Sequence, residues 1–292
     1  MLAANVATAA FMQKHGIPAL YRVHDGPPPE RLEKLKAFLG ELGLSLHRGK
    51  SKDGPSPKDY QALLESIRGR DDYHLIQTVM LRSLSQAVYS ADNQGHFGLN
   101  YDAYAHFTSP IRRYPDLLIH RAIRSVIRSK QDTPHVERAG AVSMPKARIY
   151  PYDAPMLEQL GEQCSMSERR ADEATRDVVN WLKCEFMKDR VGETFPGVIT
   201  AVTGFGLFVE LKDIYVEGLV HVTALPGDYY HFDPVHHRLA GERSGRSFRL
   251  GDSVSVKVMR VDLDERKIDF EMAEGAEPVS YTHLRAHETG RN

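Results

Sequence analysis

The pattern of apolar and polar positions divides the chain into a helical first part and a β-rich second part. Apolar residues recur at spacings of three and four, which predicts helices, in the segments 1–15, 29–42, 59–68, 75–89, 116–128 and 153–190. The short segment Leu20–His24 is a strand candidate. The segments 51–58 and 130–152 are polar and without periodicity, so they are interpreted as a loop and a surface linker.

The last predicted helix carries an apolar stripe that should be buried. Its members repeat at helical spacing and are Ala171, Ala174, Val178, Trp181 and Leu182. At the other end of the chain, the alanine-rich helix starts at Met1 without a preceding capping residue, which suggests a truncated beginning.

The spacing of apolar residues changes at Gly192. After it, apolar and polar residues alternate over short runs, which predicts strands. They cover 194–210, 217–222, 253–261 and 267–272. Several short strands in about 80 residues are typical of a small closed barrel, and five-stranded barrels of the OB type bind oligonucleotides on one face. The predicted fold class is therefore α+β, a mainly helical part followed by a five-stranded OB-fold β-barrel.

Composition is that of an ordinary soluble protein and narrows the function little. Among 292 residues, 41% are hydrophobic and 26% are charged, and the net charge is -1. A role in nucleic-acid binding must therefore depend on local clusters of Arg and Lys. Only Cys164 and Cys184 are present, which excludes a disulfide framework and a cysteine zinc site. With no apolar run of membrane-spanning length and no signal pattern, the predicted location is cytoplasmic, away from membranes.

A turn with two adjacent arginines is the most informative feature. Arg112 and Arg113 lie between Pro110 and Pro115, and proline restrains both itself and the residue before it. Two guanidinium groups are thus presented on a stiff turn, a geometry suited to phosphate or carboxylate. The residues alone leave a second interpretation open, in which an arginine pairs with a nearby carboxylate such as Asp116.

The run HFTSPIRRYPD around this turn resembles the signature of the RNB-domain 3′–5′ exoribonucleases. The resemblance implies that Arg112 holds the scissile phosphate as a catalytic residue, and that Arg113, Tyr104, His106 and Ser109 contact RNA. It also implies degradation of single-stranded and structured RNA to nucleoside 5′-monophosphates by a monomer that takes the 3′ end. The ribosome or RNA-decay factors would be further partners.

The β-rich part resembles the S1-type RNA-binding domain. The runs that carry the resemblance are GVITAVTGFGLFVEL, EGLVHVTAL and VKVMRVDLDERKIDFEM. By position, the resemblance implies an RNA-binding surface of Phe205, Phe208, His221, Asp262 and Arg266. Phe205 and Phe208 are three apart, so in an ideal strand they would point to opposite faces. A bend at Gly206 is needed to bring them together, and the alternative is that both are core residues.

Magnesium is the metal that the resemblance implies, held by four clustered aspartates early in the catalytic domain. Mg²⁺ requires such carboxylate oxygens. The acidic pairs here, Asp71 with Asp72 and Asp262 with Asp264, do not match that context. We therefore expect no metal site in this chain, which would bind RNA but be inactive alone, as a C-terminal fragment of the enzyme. The alternative is a non-enzymatic RNA-binding protein with a degenerate RNB remnant.

Three regions are predicted, the first two from these resemblances and the third because it matches neither domain. They are the C-terminal part of an RNB domain at 1–190, an S1-type domain at 191–273, and a disordered, adapter-like tail at 274–292 that includes SYTHLRAHETGRN. Within the second region, an insertion at about 227–252 carries Tyr229, Tyr230, His231, His236 and His237. It is interpreted as a surface loop and not as a zinc site, because its histidines lack ligand spacing with a carboxylate partner.

Overall fold

The computed structural model describes residues 1–46, 54–70, 72–128, 144–225, 227–234 and 236–273. They form two compact units. The first holds the described residues of Met1–Arg31, His47–Gln61 and Ser83–Asp172, and the second holds those of Leu32–Leu46, Ala62–Arg82 and Glu173–Asn292. The predicted tail lies outside the described residues, as do 51–53 of the predicted loop and 130–143 of the predicted linker.

Helices form where the helical spacing predicts them, with differences at their ends. Their bounds are α1 (Leu2–Lys14), α2 (Pro29–Glu41), α3 (Pro57–Ser66), α4 (Tyr73–Ser83), α5 (Tyr114–Ile127), α6 (Lys146–Ile149) and α7 (Ala154–Met187). A 3₁₀ turn at Lys188–Arg190 continues α7. Both α2 and α3 begin with proline. In the first helical turn a backbone N–H has no hydrogen-bond acceptor within the helix, so the N–H that proline lacks is not needed there.

The core of the first unit lies between α1, α5, the start of α7 and a small sheet. Strands β1 (Tyr21–Val23) and β2 (Val88–Ser90) form that antiparallel sheet, with Arg22 opposite Tyr89. A methyl group on Gly161 of α7 would lie 2.8 Å from the Tyr89 carbonyl oxygen, so glycine permits the close packing of helix on strand. The buried core side chains include Ala9, Met12, Leu20, Val23, Leu118, Ile119, Ala122 and Leu157.

A closed five-stranded barrel dominates the second unit and confirms the predicted fold class. Its strands are β3 (Thr194–Thr203), β4 (Gly206–Leu211), β5 (Glu217–His221), β9 (Ser253–Asp262) and β10 (Lys267–Met272), in the spatial order β10-β5-β4-β3-β9. Side chains alternate along each strand. In β4 the inward residues Leu207, Val209 and Leu211 are fully buried, whereas Phe208 and Glu210 face outward and are partly exposed.

The insertion in the barrel is not an irregular loop, which corrects the sequence interpretation. It forms an antiparallel sheet of β6 (Tyr230–Asp233), β7 (Arg238–Gly241) and β8 (Ser247–Arg249), in that order. Tyr230, Leu239 and Phe248 are buried, and β7 and β8 contact β3 of the barrel. A hydrophobic face therefore orders the segment, although its histidines and glycines gave the sequence a loop-like composition.

Two segments of the first unit also differ from prediction. The helix predicted to Tyr89 ends at Ser83, because the backbone of Val88–Ser90 pairs with β1 instead. Within the predicted linker, Lys146–Ile149 is helical, and Ile149 and Tyr150 are buried. The Tyr150 hydroxyl donates a 2.9 Å hydrogen bond to the Pro18 carbonyl. Tertiary contacts thus order a stretch that has no periodicity of its own.

The apolar stripe predicted to be buried on α7 is exposed in the structure. Val178 is 59% exposed, Leu182 is 53% exposed, and Ala171, Ala174 and Trp181 are exposed as well. The buried residues of α7 are Leu157, Gly161 and Ser165 in its first half and Cys184 and Met187 near its end. Among the described residues, no helix is long and apolar enough to cross a membrane.

Candidate nucleic-acid interface

The arginine turn is closed around one buried carboxylate. Asp116, in the first turn of α5, is fully buried, and its Oδ1 accepts 2.7 Å hydrogen bonds from the Ser109 backbone N–H and the Arg113 guanidinium. The backbone N–H groups of Arg112 and Arg113 both donate to the Ser109 carbonyl. Pro115 occupies the start of α5. These bonds hold the backbone between Ser109 and Asp116 in one conformation.

The two arginines have different environments. Arg113 is largely buried and pairs with Asp116, which is the carboxylate-pairing interpretation that the sequence left open. Its Nε and Asp116 Oδ2 are buried and have no hydrogen-bond partner in the described part of the chain. Arg112 is exposed, and no described side chain pairs with its guanidinium group. Arg112 is thus the one of the two that is available to an anion.

Tyr104 and His106 precede the turn in the chain and are held by side chains outside it. Tyr104 is only 5% exposed, and its hydroxyl accepts a 2.8 Å bond from Asn5 Nδ2, so the structure places it in the core. His106 Nδ1 lies 2.9 Å from the Tyr89 hydroxyl. The resemblance implies that Tyr104 contacts RNA, but its ring is enclosed by protein and packs in the core.

A cleft of about 690 Å³ opens in front of the turn. One side carries Arg112, Arg113 and Tyr114, and α7 supplies the other side, including Glu168 and Asp172. Glu168 Oε2 is 2.6 Å from Arg22 Nη1, and the Arg22 guanidinium lies 4.6 Å from the centre of the Tyr89 ring. The sequence analysis did not identify Arg22, Tyr89 and Glu168, because more than 60 residues of chain separate each of them from the others.

The described residues do not fit the metal that the RNB resemblance implies. No group of three or more His, Cys, Asp or Glu side chains among them is arranged to hold a metal ion. In the cleft, Glu168 is already paired with Arg22. Asp71 lies outside the described residues, and Asp72 is bound by both Nε and Nη2 of Arg70 at 2.7 Å. Among the described acidic residues, Glu168 and Asp72 are thus each engaged by an arginine.

Histidine burial predicts that the first unit loses stability in mild acid. Burial, assisted by the positive charge of Arg113, lowers the pKa of His106 from 6.5 to about 4. Burial likewise lowers the pKa of His96 to about 4. Between pH 6.5 and pH 4 these histidines are protonated in the unfolded chain but stay neutral in the folded one. The stability that the two buried neutral histidines contribute is therefore complete above pH 6.5 and declines as the pH falls towards 4.

We expect the thermal midpoint, measured by circular dichroism, to fall progressively between pH 6.5 and pH 4. His106→Gln should reduce that dependence, because glutamine does not titrate. A midpoint with the same pH dependence in both proteins would contradict this role of His106.

The barrel brings three predicted RNA-binding residues together on its outer surface. Phe205 is 51% exposed, and its ring centre lies 6.0 Å from that of Phe208 in an edge-to-face arrangement. Gly206 is paired with His221 across β4 and β5, and the Val222 N–H donates to the Phe205 carbonyl. His221 is exposed. Phe205, Phe208 and His221, called the aromatic surface below, therefore adjoin at one end of β4.

Gly206 permits the bend that this arrangement requires. A methyl group on it would lie 2.3 Å from the Val220 carbonyl oxygen and 3.1 Å from the His221 Cα. Backbone atoms cannot move aside as a flexible side chain can. We therefore expect Gly206→Ala to separate β4 from β5 and lower the thermal midpoint of the barrel. In a heteronuclear NMR spectrum, unchanged Phe208 and His221 backbone signals in this variant would contradict that role.

Asp262 and Arg266, the other predicted members of the S1 surface, make different contacts. Asp262 Oδ1 accepts from the backbone N–H groups of Asp264 and Glu265, and Oδ2 accepts from Arg260. The hydrogen bond from the Glu265 N–H foremost, and then the one from Arg260, lower the pKa of Asp262. Arg266 Nη1 lies 3.5 Å from Asp177 Oδ2 of α7. None of these contacts joins either side chain to the aromatic surface.

Arg82 supplies a positive charge beside β3 that the sequence did not reveal. Its Nη2 donates a 3.0 Å bond to the Thr200 carbonyl, and the Thr200 hydroxyl donates to the Phe208 carbonyl. Arg82 is exposed and belongs to α4. Because 118 residues separate it from Thr200, no local spacing could have indicated the contact.

Comparison with known proteins agrees with both halves of this description. The RNB domain family matches residues 1–129, and the S1 RNA binding domain family matches residues 188–273. Ribonuclease R of Vibrio cholerae is 53% identical over 94% of this chain, and that of Escherichia coli is 51% identical over 93%. The chain is therefore similar to bacterial ribonuclease R over nearly its whole length. The ribonuclease R family consists of metal-dependent exoribonucleases.

Coverage of these ribonuclease R relatives is partial. The chain spans about a third of their length, 32% in both the Vibrio and the Escherichia proteins. Among solved structures, Mycoplasma genitalium ribonuclease R in complex with ribose-methylated single-stranded RNA is similar, with a TM-score of 0.79 and 26% identity. That match covers 94% of this chain and 40% of the Mycoplasma chain.

Proposed function

We propose that this chain binds single-stranded RNA as the C-terminal part of a ribonuclease R-type 3′–5′ exoribonuclease. The observation that carries the proposal is the aromatic surface of Phe205, Phe208 and His221, exposed at one end of β4 within the segment that matches the S1 family. Bases stack on such rings at roughly 1–3 kcal/mol each with little dependence on sequence. Arg82 places a cation beside the strand that pairs with Phe208.

Arg112 is the proposed phosphate ligand of the first unit. It is exposed, faces the cleft and has no described partner, while Arg113 and Ser109 are engaged by Asp116. A planar, permanently charged guanidinium group can donate two parallel hydrogen bonds to phosphate. Arg113 is proposed to act by fixing the turn. The backbone from Ser109 to Asp116 then presents Arg112 in one orientation to the phosphate nearest the cleaved bond.

Hydrolysis to nucleoside 5′-monophosphates is proposed for the longer ribonuclease R-type protein. Mg²⁺, when bound there, would supply activation of water and stabilisation of the leaving oxygen. Since no described group in this chain fits a metal, the chain alone is proposed to bind RNA without cleaving it. A monomeric state, a cytoplasmic location and contacts with the ribosome or RNA-decay factors remain predictions.

Binding and cleavage can be tested in one experiment. The purified chain is titrated into a 5′-labelled single-stranded RNA at fixed salt, and the same mixture is then incubated with Mg²⁺ and resolved on a denaturing gel. The proposal predicts saturable binding and an RNA of unchanged length. Progressive shortening from the 3′ end would show that the chain is catalytically complete, and absence of binding would refute the RNA-binding function.

A further inference from the structure

The insertion sheet leaves one aromatic ring of its apolar face half-exposed. Side chains alternate along β6, so Tyr230 and Phe232 share a face, and Phe232 is opposite Leu239 in β7. Tyr230 and Leu239 are buried on that face, whereas Phe232 is 39% exposed. β6 is an edge strand of the sheet, so Phe232 stands at its border. Its ring is only partly used for packing.

Phe232 lies beside the turn that carries the aromatic surface. Gly204 immediately precedes Phe205 between β3 and β4, and a methyl group placed on Gly204 would lie 3.9 Å from the Phe232 Cβ. Phe205 in turn contacts Phe208. The partly exposed rings of Phe208, Phe205 and Phe232 therefore occur at the same end of the barrel, with Gly204 leaving the space between the last two free of a side chain.

The acidic side chains next to Phe232 in the sheet are engaged by hydrogen bonds. Asp233 Oδ2 accepts one from Arg238 Nε at 3.1 Å and forms a second with His236. Glu242 forms a hydrogen bond with His231. The permanent charge of Arg238 therefore offsets that of Asp233, the acidic residue that follows Phe232 in the chain.

We propose that Phe232 is an additional base-stacking residue, which holds the nucleobase next to the one on Phe205. The insertion would then lengthen the RNA-binding surface of the barrel by one nucleotide. This inference rests on the proposed RNA-binding function and assigns a role to a segment outside the predicted S1 surface. Stacking suits a single strand without regard to sequence, because every base presents a π-face.

The test is a titration at fixed salt with single-stranded oligouridylates of about 4 to about 12 nucleotides. Phe232→Ala should weaken binding of the long oligonucleotides by about fivefold or more, the lower end of the stacking range. It should leave the shortest one, which Phe205 and Phe208 suffice to hold, unchanged. Tyr229→Ala is the matched control, since Tyr229 is 74% exposed in the same insertion and lies near His231, on the other face of β6.

A second variant separates stacking from packing. Phe232→Leu keeps apolar volume without an aromatic ring, so it should lose as much affinity as Phe232→Ala. Any one of three results would overturn the role of Phe232. They are normal binding by Phe232→Leu, a loss of affinity in Tyr229→Ala equal to that in Phe232→Ala, and an effect of Phe232→Ala that does not depend on oligonucleotide length. If Phe208→Ala also leaves binding unchanged, the S1 surface itself is wrong, whereas a loss in Phe208→Ala alone refutes only the extension.

Discussion

Replacing Asp116 by alanine is expected to lower the free energy of unfolding of the first unit by about 3 kcal/mol, the lower end for breaking a buried ion pair. Asp116 is fully buried, and its removal leaves the Arg113 guanidinium and the Ser109 N–H without their common acceptor. The lower end applies because Arg113 retains 22% exposure, so water can reach part of its charge. Urea unfolding followed by circular dichroism measures the change.

Asp153→Ala provides the control for this prediction. Asp153 also accepts a backbone hydrogen bond at the start of a helix, from the Met156 N–H at 2.9 Å, but it is exposed and pairs with no cation among the described residues. Loss of such a cap costs about 1 kcal/mol. Equal losses in the two variants would show that the Arg113–Asp116 pair adds nothing beyond an ordinary helix cap, and the turn would not be held as described.

Phe208→Ala is expected to weaken binding of single-stranded RNA by about 1–3 kcal/mol, which is about 5- to 150-fold in the dissociation constant. Phe208 faces outward from β4, and its ring supports that of Phe205, so its removal disturbs two stacking positions. The loss should be similar for different RNA sequences, because stacking depends little on base identity. Fluorescence anisotropy at fixed salt, with two unrelated oligonucleotides, measures both features.

Tyr215→Ala is the matched control for Phe208. Tyr215 is an exposed aromatic residue that follows β4, at the opposite end of that strand from Phe205. Its removal should leave the affinity unchanged. An effect of Tyr215→Ala as large as that of Phe208→Ala would mean that RNA contacts exposed aromatic residues generally, and the assignment of one surface would be wrong.

Periodicity predicted the barrel well because its strands combine alternation with glycine-marked turns. The ends of β5, β9 and β10 lie within one residue of the predicted positions. The same reasoning was wrong for the α7 stripe, since a helical pattern shows that an apolar face exists and not what covers it. It was also wrong for the insertion, where burial of Tyr230, Leu239 and Phe248 depends on contact with β3.

The site could be predicted only as far as residue type and local geometry allow. The prolines indicated a stiff turn, but the sequence could not decide which arginine pairs with Asp116; that depends on a fully buried carboxylate and the hydrogen bonds around it. Likewise, the spacing of Phe205 and Phe208 predicted that a bend at Gly206 is needed to bring them together. In the structure their ring centres lie 6.0 Å apart. Arg82 and Glu168 reach their partners through tertiary contacts, for which local sequence has no signal.

Photochemical cross-linking tests the central claim, that RNA binds at the aromatic surface, most directly. The chain is bound to an oligonucleotide containing 4-thiouridine, irradiated, digested and analysed by mass spectrometry. The account predicts adducts concentrated on the peptides that contain Phe205, Phe208 and His221, and competition by unlabelled single-stranded RNA. Saturable binding with adducts confined to peptides from other parts of the chain would contradict it.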